Sequence, residues 1–281
     1  MTLELHATPE EVMRAVEALQ EFARARGLAG ELVFPLALAL EEAGANVVNH
    51  ALQRDPTRTF HITFGLVGDI FEIELRDSGA QFDPTVAAAR HQAHDDDLPG
   101  GWGIELVRRQ VDAMGYQRVD GLNVLRLTKR VRPAAVAIDF LADNKSNLTP
   151  TESHMALDIQ ILQNIGGQKA GAVTIQLTGS LDTATAPDLE HKLAPILGGQ
   201  VKDIVFDLAQ LKFISSAGLR VFSTTRKTLK ERGGQASFIN LQPQIQKVFD
   251  IMKALPGVAV FTSTAELDRY LAVQQRKTEE S

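Results

Sequence analysis

The 281-residue sequence predicts two domains of different fold class, an α+β domain followed by an α/β domain. In the first half, helical stretches precede strands that alternate apolar and polar residues, which is typical of helices packed on one antiparallel sheet. In the second half strands alternate with helices, and KDIVFDLAQL is almost continuously apolar, as expected of a strand covered on both faces. The polar segment LADNKSNLTPTESH between them fits neither pattern and predicts a linker.

Hydrophobic periodicity predicts the elements of each half in order. In the first half, helices are expected over about 8–27, 33–52 and 103–114, and strands over about 58–67, 70–77, 116–120 and 123–131, with a hairpin at Gly68-Asp69. In the second half, strands are expected near 157–163, 172–178, 203–208 and 235–240, and helices near 184–197, 216–232, 242–253 and 264–276. The predicted domains are therefore 1–132 and 155–281, joined by a linker over 133–154.

Composition excludes several classes of function. The net charge is -6, divided as -8 over residues 1–154 and +2 over residues 155–281, and neither half has a basic stripe suited to nucleic acid. The absence of cysteine removes disulfides and thiolate chemistry. No apolar run approaches the roughly 20 residues of a membrane span, and the start MTLELHATPEEV lacks the pattern of a secretory signal. We expect a cytoplasmic protein that contacts neither nucleic acid nor membrane.

Glu42, Asn46, Asn49 and His50 interrupt the largely apolar helix LALALEEAGANVVNHAL. Glu42, Asn46 and either Asn49 or His50 follow one another at helical spacing and are expected to share a face. A carboxylate can accept a proton, and a carboxamide one turn away can bind a magnesium ion that also holds phosphate. On this helix alone, a solvated polar face explains the pattern more simply.

Two later stretches add to this pattern. Asp77-x-Gly79 ends a strand, where a carboxylate can accept a hydrogen bond from an exocyclic amine such as that of adenine. The same residues are also typical of a simple turn. Gly100, Gly101 and Gly103 precede a helix, whose first N–H groups can bind phosphate or can simply begin the helix.

In order and spacing, these three stretches resemble the ATP-binding boxes of the GHKL superfamily, and the FDP and LPGGWGIEL segments are most similar to its anti-sigma-factor serine kinases. The resemblance covers about residues 5–131 and implies a Bergerat ATP-binding sandwich with an ATP lid over 91–103. It implies ATP and Mg²⁺ as cofactors, Glu42 as general base, Asn46 on Mg²⁺ and Asp77 on adenine. Gly79, Gly101, Gly103, Asn49 and His50 complete the implied nucleotide site, with His50 equally consistent with packing.

In the second half, Ser215 and Ser216 stand between a strand and a helix in LKFISSAGLRVF. The simpler interpretation is an N-cap pair. A phosphate at this position would add about -1.5 to -2 charge, and the helix N-terminus would tolerate it.

This segment resembles the STAS domain of anti-sigma-factor antagonists over about residues 155–275, on TIQLTGSLDTATAPDLEHKL and FISSAGLRVF. Those antagonists usually read Asp-Ser-Ser/Thr-Gly and are phosphorylated on the first hydroxyl residue. The register places Ser215 in the aspartate position and Ser216 in the acceptor position, with Ser215 as the alternative. Leu181 and Asp182 are expected near this site, where a kinase would contact them.

The two resemblances together imply a partner-switching regulator, in which a serine kinase module phosphorylates its own or another STAS domain at Ser216. A sigma factor or an analogous regulatory target, a separate phosphoserine phosphatase and a homodimer are the partners that this implies. Two alternatives remain open: a nucleotide-sensing binding module without phosphoryl transfer, and ATP hydrolysis that drives a conformational change.

Overall fold

The computed structural model describes residues 1–86, 102–131, 156–163, 172–252, 259–261 and 266. The chain folds into two compact units, Met1–His154 and Met155–Ser281. Among the described residues, no helix combines the length and the apolar character that crossing a membrane requires.

The first unit is a layer of helices on a five-stranded antiparallel sheet. Its elements in chain order are β1 (Thr2–His6), α1 (Pro9–Arg24), α2 (Gly30–Asn46), a π-helical turn (Val47–Ala51), β2 (Thr59–Val67), β3 (Ile70–Asp77), α3 (Trp102–Gln110), β4 (Ala113–Val119) and β5 (Leu122–Arg130). The strand order is β1-β2-β3-β5-β4, with antiparallel pairing throughout.

Helix α1 begins where its sequence favours a start. Thr8 is the N-cap residue, Pro9 occupies the first turn, and Glu10 and Glu11 complement the helix dipole. Near its other end, the Phe22 ring lies edge-on to Phe64 of β2 and Phe71 of β3, with ring centroids 5.2 and 5.9 Å away. This aromatic cluster anchors α1 on the sheet, and α2 packs against both α1 and α3.

The second unit is a mixed five-stranded sheet with helices. Its elements are β6 (Asp158–Gln163), β7 (Ala172–Leu181), α4 (Ala186–Gly198), β8 (Asp203–Ile214), α5 (Ser216–Glu231), β9 (Gln235–Ile239), α6 (Pro243–Met252) and β10 (Ala259–Phe261). The order is β10-β9-β8-β7-β6, parallel except for β6 against β7. Phe206 and Phe238 of the sheet pack with Phe222 of α5, and Phe249 of α6 joins them at 5.4 Å from Phe238.

The predicted fold class is confirmed for both units, but several element bounds differ. The short edge strands β1 and β10 were not predicted. The helix predicted to reach residue 114 ends at Gln110, because the Asp112 N–H donates to the Thr128 carbonyl at 2.8 Å and Ala113 already pairs with β5. Strand β8 continues to Ile214 beside an irregular stretch of β7. The predicted linker and, apart from residue 266, the helix over 264–276 lie outside the described residues.

Candidate functional site

Helix α2 buries the carboxylate that the sequence singles out. Leu36, Leu40, Ala43 and Val47 are all buried, as their spacing predicts. Glu42 is only 3% exposed, so the solvated-face interpretation is wrong for this residue. Neighbouring Glu41, which no sequence motif marks, is completely buried as well. A buried carboxylate is costly unless it is hydrogen-bonded or meets a ligand, which makes this stretch of α2 unusual for a structural helix.

The helix changes its hydrogen-bonding pattern immediately after Asn46. Residues Val47–Ala51 form a π-helical turn, so Asn49 and His50 do not keep the regular α-helical register with Glu42. Asn46 and Asn49 are half-buried, whereas His50 is exposed. The Asn49 Oδ1 atom accepts a hydrogen bond from Arg54 Nε at 2.6 Å, which fixes one end of that carboxamide.

The π-helical turn meets the end of β3 at Gly79. A Cβ atom on Gly79 would lie 2.5 Å from the Ala51 carbonyl oxygen, so the close approach requires glycine. Two residues earlier, Asp77 is 6% exposed, and its Oδ1 atom accepts from the Gly79 N–H at 2.7 Å. The structure therefore brings the first two sequence motifs together at one end of the sheet.

Asn123 is the residue of this site that the sequence motifs missed. It stands directly opposite Asp77 in the β3–β5 pairing, and its Nδ2 atom donates to Asp77 Oδ1 at 2.9 Å and to the Ala80 carbonyl at 3.0 Å. Its Oδ1 atom accepts from Tyr116 and Arg118 at 2.7 and 2.8 Å. The signal was available, because the predicted strand pairing places this carboxamide opposite the candidate aspartate.

The arrangement around Asp77 fits an amine-bearing ligand such as adenine. Both hydrogen bonds from Gly79 and Asn123 end on Oδ1, which leaves Oδ2 as the oxygen that can accept from a ligand. Gly79 presents no side chain beside it. The same two donors hold the carboxylate in the orientation that recognition requires.

The glycine-rich segment is only partly within the described residues. Gly100 and Gly101, and most of the predicted lid over 91–103, lie outside them. Gly103 is half-buried in the first turn of α3, where backbone N–H groups have no intrahelical partner. Arg108 of α3 donates to the carbonyls of Pro84 and Thr85 at 2.9 and 3.1 Å, which ties α3 to the segment that follows Gly79.

The described residues contain no group of three or more His, Asp or Glu side chains that could hold a metal ion by themselves. Asn46 is the predicted ligand for Mg²⁺. A carboxamide oxygen suits that ion in combination with phosphate oxygens and water, so its half-buried position is compatible with a metal–nucleotide complex.

The two serines of the second unit differ in accessibility. Ser215 is the N-cap residue of α5 and is completely buried, whereas Ser216 is the first helical residue and is 9% exposed. The Ser215 N–H donates to the Leu181 carbonyl at 3.0 Å, and a Cβ on Gly218 would lie 2.6 Å from Leu181 Cγ. These contacts seat the first turn of α5 tightly on the end of β7.

Leu181 and Asp182 lie beside the serines, as expected, and their contact with a kinase stays a prediction. Both residues are completely buried. Asp182 Oδ1 accepts from the N–H groups of Ala184 and Thr185 at 2.8 and 3.1 Å, so this aspartate holds the loop that leads into α4.

Comparison with known proteins agrees with the geometry of both units. Residues 5–129 match the family model described as a histidine kinase-like ATPase domain, and residues 158–267 match the STAS domain. The serine/threonine-protein kinase BtrW of Bordetella bronchiseptica is 35% identical over 134 residues, which is 47% of this chain and 94% of that protein. BtrV of the same organism, whose name makes it a candidate anti-sigma factor antagonist, is 36% identical over 81 residues, 29% of this chain and 70% of BtrV.

The anti-sigma-B factor antagonist of Bacillus subtilis is 31% identical over 97 residues, which is 34% of this chain and 84% of that protein. Fold, motifs and relatives thus define a two-module chain of the ATPase and anti-sigma-antagonist classes. The chain belongs to the histidine kinase-like ATPase family in its first half and to the STAS family in its second, which confirms both resemblances.

Proposed function

We propose that this protein is a partner-switching regulator that joins an ATP-dependent serine protein kinase to its STAS phosphoacceptor. One observation carries the proposal: a single chain contains a relative of a serine/threonine-protein kinase and a relative of anti-sigma factor antagonists. The predicted division into modules 1–132 and 155–281 with a linker over 133–154 belongs to this proposal. Tethering raises the effective concentration of one module for the other, commonly to about the mM range.

In the proposed reaction, the Ser216 Oγ atom attacks the γ-phosphorus of ATP. The new Oγ–P bond replaces the bond from that phosphorus to the β–γ bridging oxygen, and ADP leaves. The buried Glu42 carboxylate accepts the proton of the serine hydroxyl. Asn46 is the residue proposed to hold Mg²⁺, which when bound would neutralise the charge of the phosphates. Catalysis of this kind depends chiefly on positioning.

The remaining site residues are proposed to position the nucleotide. The Asp77 Oδ2 atom accepts a hydrogen bond from the amino group of adenine, and the missing side chain of Gly79 lets the base approach the backbone closely. Gly101 and Gly103 present backbone N–H groups to the phosphates at the start of α3. Asn49 and His50, which follow the metal ligand on the π-helical turn, border the phosphates. Ser216 rather than Ser215 is proposed as the acceptor, because Ser215 is completely buried.

Phosphorylation is proposed to switch partners through charge. A phosphate adds about -1.5 to -2 charge to the surface around α5 and disfavours any contact that needs this surface neutral. The partners proposed are a sigma factor or an analogous regulatory target, the chain's own or another STAS domain, and a separate phosphoserine phosphatase. A cytoplasmic setting and a homodimer of the kinase module belong to the same scheme.

The test is incubation of the purified protein with Mg-ATP, followed by mass spectrometry to locate phosphate. We expect one phosphate on Ser216, none in Ser216→Ala, and a loss of at least about 100-fold in rate for Glu42→Gln, as removal of a general base predicts. Glu72→Gln, which changes a half-exposed carboxylate on β3 of the same unit, serves as the matched control and should keep the rate. Undiminished labelling of Ser216→Ala would contradict the assignment.

A second candidate is a nucleotide-sensing module that binds partners without transferring phosphate. The observation that favours it is the low exposure of Ser216, only 9%, since an acceptor has to reach its donor. ATP binding without labelling, together with partner binding that Glu42→Ala leaves unchanged, would support this candidate. The same incubation therefore distinguishes the two functions.

A further inference from the structure

The N-terminus of α5 contains a buried hydroxyl group that the fold does not use. Ser215 is completely buried, and its Oγ atom has no hydrogen-bond partner among the described residues. Buried hydroxyl groups are normally hydrogen-bonded, because losing water without a replacement partner is unfavourable. The unused Ser215 hydroxyl therefore calls for a specific physical reason.

Helix capping does not supply that reason. Ser215 is the N-cap residue of the 16-residue helix α5, a position where serine usually accepts a hydrogen bond from an N–H of the first turn. Here its side chain makes no such bond. The helical ladder starts with the Leu219 N–H, which donates to the Ser215 carbonyl at 3.0 Å. The N–H groups of Ala217 and Gly218 precede that bond in the first turn of the helix, where backbone N–H groups have no intrahelical partner.

The charges around this helix end favour an anion. The first turn of α5 contains no acidic residue, and its dipole places partial positive charge at the N-terminus. Arg220 is exposed and follows Ser216 by four residues, which places both on one face of the helix. A guanidinium at this spacing can reach a phosphate and hydrogen-bond it at two atoms.

We propose that the Ser215 hydroxyl, the first-turn N–H groups of α5 and Arg220 together form a receiving site for the phosphoryl group carried by Ser216. The inference rests on the proposed function for the presence of phosphate on Ser216. In this site Ser215 is a positioning residue that donates to a phosphate oxygen. The phosphate is then held against its own helix instead of extending freely into solvent.

This site gives a role to Ser215, which stands where the usual antagonist pattern has aspartate. An aspartate at position 215 would place a carboxylate next to the phosphate and repel it, whereas serine offers a donor of no charge. The phosphorylated form of this chain is therefore stabilised by a group that the usual Asp-Ser-Ser/Thr-Gly pattern does not provide.

The test uses full-length chain with phosphoserine introduced at position 216 during translation, so it does not depend on kinase activity. The pH dependence of the ³¹P chemical shift reports the second ionisation of the phosphate, whose pKa is about 6 when the group is free. We expect this pKa to be lower in the wild-type background, and to rise by about half a pH unit in Ser215→Ala and in Arg220→Gln, because each loses a donor to the dianion.

Three further variants make the outcome decisive. Ser215→Thr keeps the hydroxyl group and should keep the lowered phosphate pKa. If Ser215→Ala fails to fold, Ser215→Cys takes its place, because a thiol is a poorer hydrogen-bond donor than a hydroxyl group. Thr225→Val removes a buried hydroxyl nearly three turns further along α5 and should change nothing. In ¹H–¹⁵N spectra, the amide protons of Ala217 and Gly218 should move downfield upon phosphorylation.

A phosphate that titrates identically in wild-type, Ser215→Ala and Ser215→Cys chains, with the Ala217 and Gly218 amides unmoved, would overturn the receiving site. Failure of the wild-type protein to label itself with ATP would instead concern the proposed function alone.

Discussion

At the residue scale, the candidate nucleotide site depends on side chains outside the sequence motifs. Asp77 is the residue proposed to supply the recognition oxygen, and Asn123 and the Gly79 N–H hold its carboxylate in place. Arg118 extends the network, since it donates to the Gly79 carbonyl at 3.1 Å and to Asn123 Oδ1. The strand pairing, rather than any motif, brings these groups together.

Replacing Asn123 should weaken nucleotide binding without unfolding the protein. Asn123→Ala removes the donors to Asp77 and to the Ala80 carbonyl, and we expect a loss of about 10-fold in ATP affinity, since hydrogen bonds to charged groups are worth about 1.5–3 kcal/mol. Isothermal titration calorimetry measures the affinity. Gln117→Ala, an exposed change on the neighbouring strand, is the control, and equal affinities for the two variants would refute the role of Asn123.

Glu74 makes the stability of the first unit sensitive to acid. Burial raises the pKa of its carboxyl, but the hydrogen bonds from Arg126 and Arg76 outweigh burial, and the net pKa lies below the ordinary value of 4.5. Both arginines contact the carboxylate at 2.7 Å. Because the pKa of Glu74 is lower in the folded state than in the unfolded state, its ionised form stabilises the native state at pH values above the ordinary pKa. That stabilisation disappears as the pH falls through the lowered pKa of the folded state.

Urea unfolding of the wild type and of Glu74→Gln over a range of pH tests this stabilisation by the Glu74 carboxylate. We expect the wild type to be more stable by about 1 kcal/mol between pH 5 and 7, a value limited by the exposure of the two arginines. The difference should shrink steadily below pH 4.5. A difference that stays constant down to pH 3 would contradict the assignment to this carboxylate.

At the element scale, the two motifs of the first unit meet because the π-helical turn and the end of β3 approach without an intervening side chain. The sequence predicted the helix and the strand, and it marked Gly79 as part of the Asp77-x-Gly79 motif. It did not predict that the partner of Gly79 is the Ala51 carbonyl, because the change from α to π pattern follows from tertiary packing. The ends of elements escaped prediction for the same reason, as the early end of α3 at Gln110 illustrates.

Gly79→Ala should disrupt this contact. A Cβ at 2.5 Å from a backbone oxygen forces the π-helical turn away from β3, and we expect a loss of about 1–3 kcal/mol in unfolding free energy together with loss of ATP binding. Gly115→Ala in β4 is the matched control, since its added Cβ meets nothing within 4 Å. Equal midpoints for the two variants in thermal unfolding would show that the contact is not required.

At the scale of the whole molecule, the chain consists of two units that each have their own aromatic core. Phe22, Phe64 and Phe71 form that of the first, and the cluster around Phe206 and Phe238 forms that of the second. The sequence predicted the two fold classes, because the hydrophobic periodicity changes between the halves. It could not predict the buried state of Glu42 or of Ser215, since burial depends on contacts between distant segments.

Separate fragments of residues 1–132 and 155–281 should each unfold cooperatively. Mg-ATP should stabilise only the first, by about 2.7 kcal/mol when its concentration is 100 times the dissociation constant. Scanning calorimetry with and without nucleotide measures this, with ADP and a non-nucleotide triphosphate as controls. Equal stabilisation of both fragments, or of neither, would contradict the assignment of nucleotide binding to the first half.

The π-helical turn at Val47–Ala51 also bears on how this segment tolerates changes in length. A π turn accommodates one residue more than the α-helical turn it replaces. Deletion of Val48 alone would therefore restore a regular α-helical spiral and leave the residues after it facing as they do now, whereas the same deletion in a regular α-helix rotates everything after it by about 100° around the axis. A single deletion within these five residues should consequently be less harmful to the helix than a single deletion in the regular part of α2.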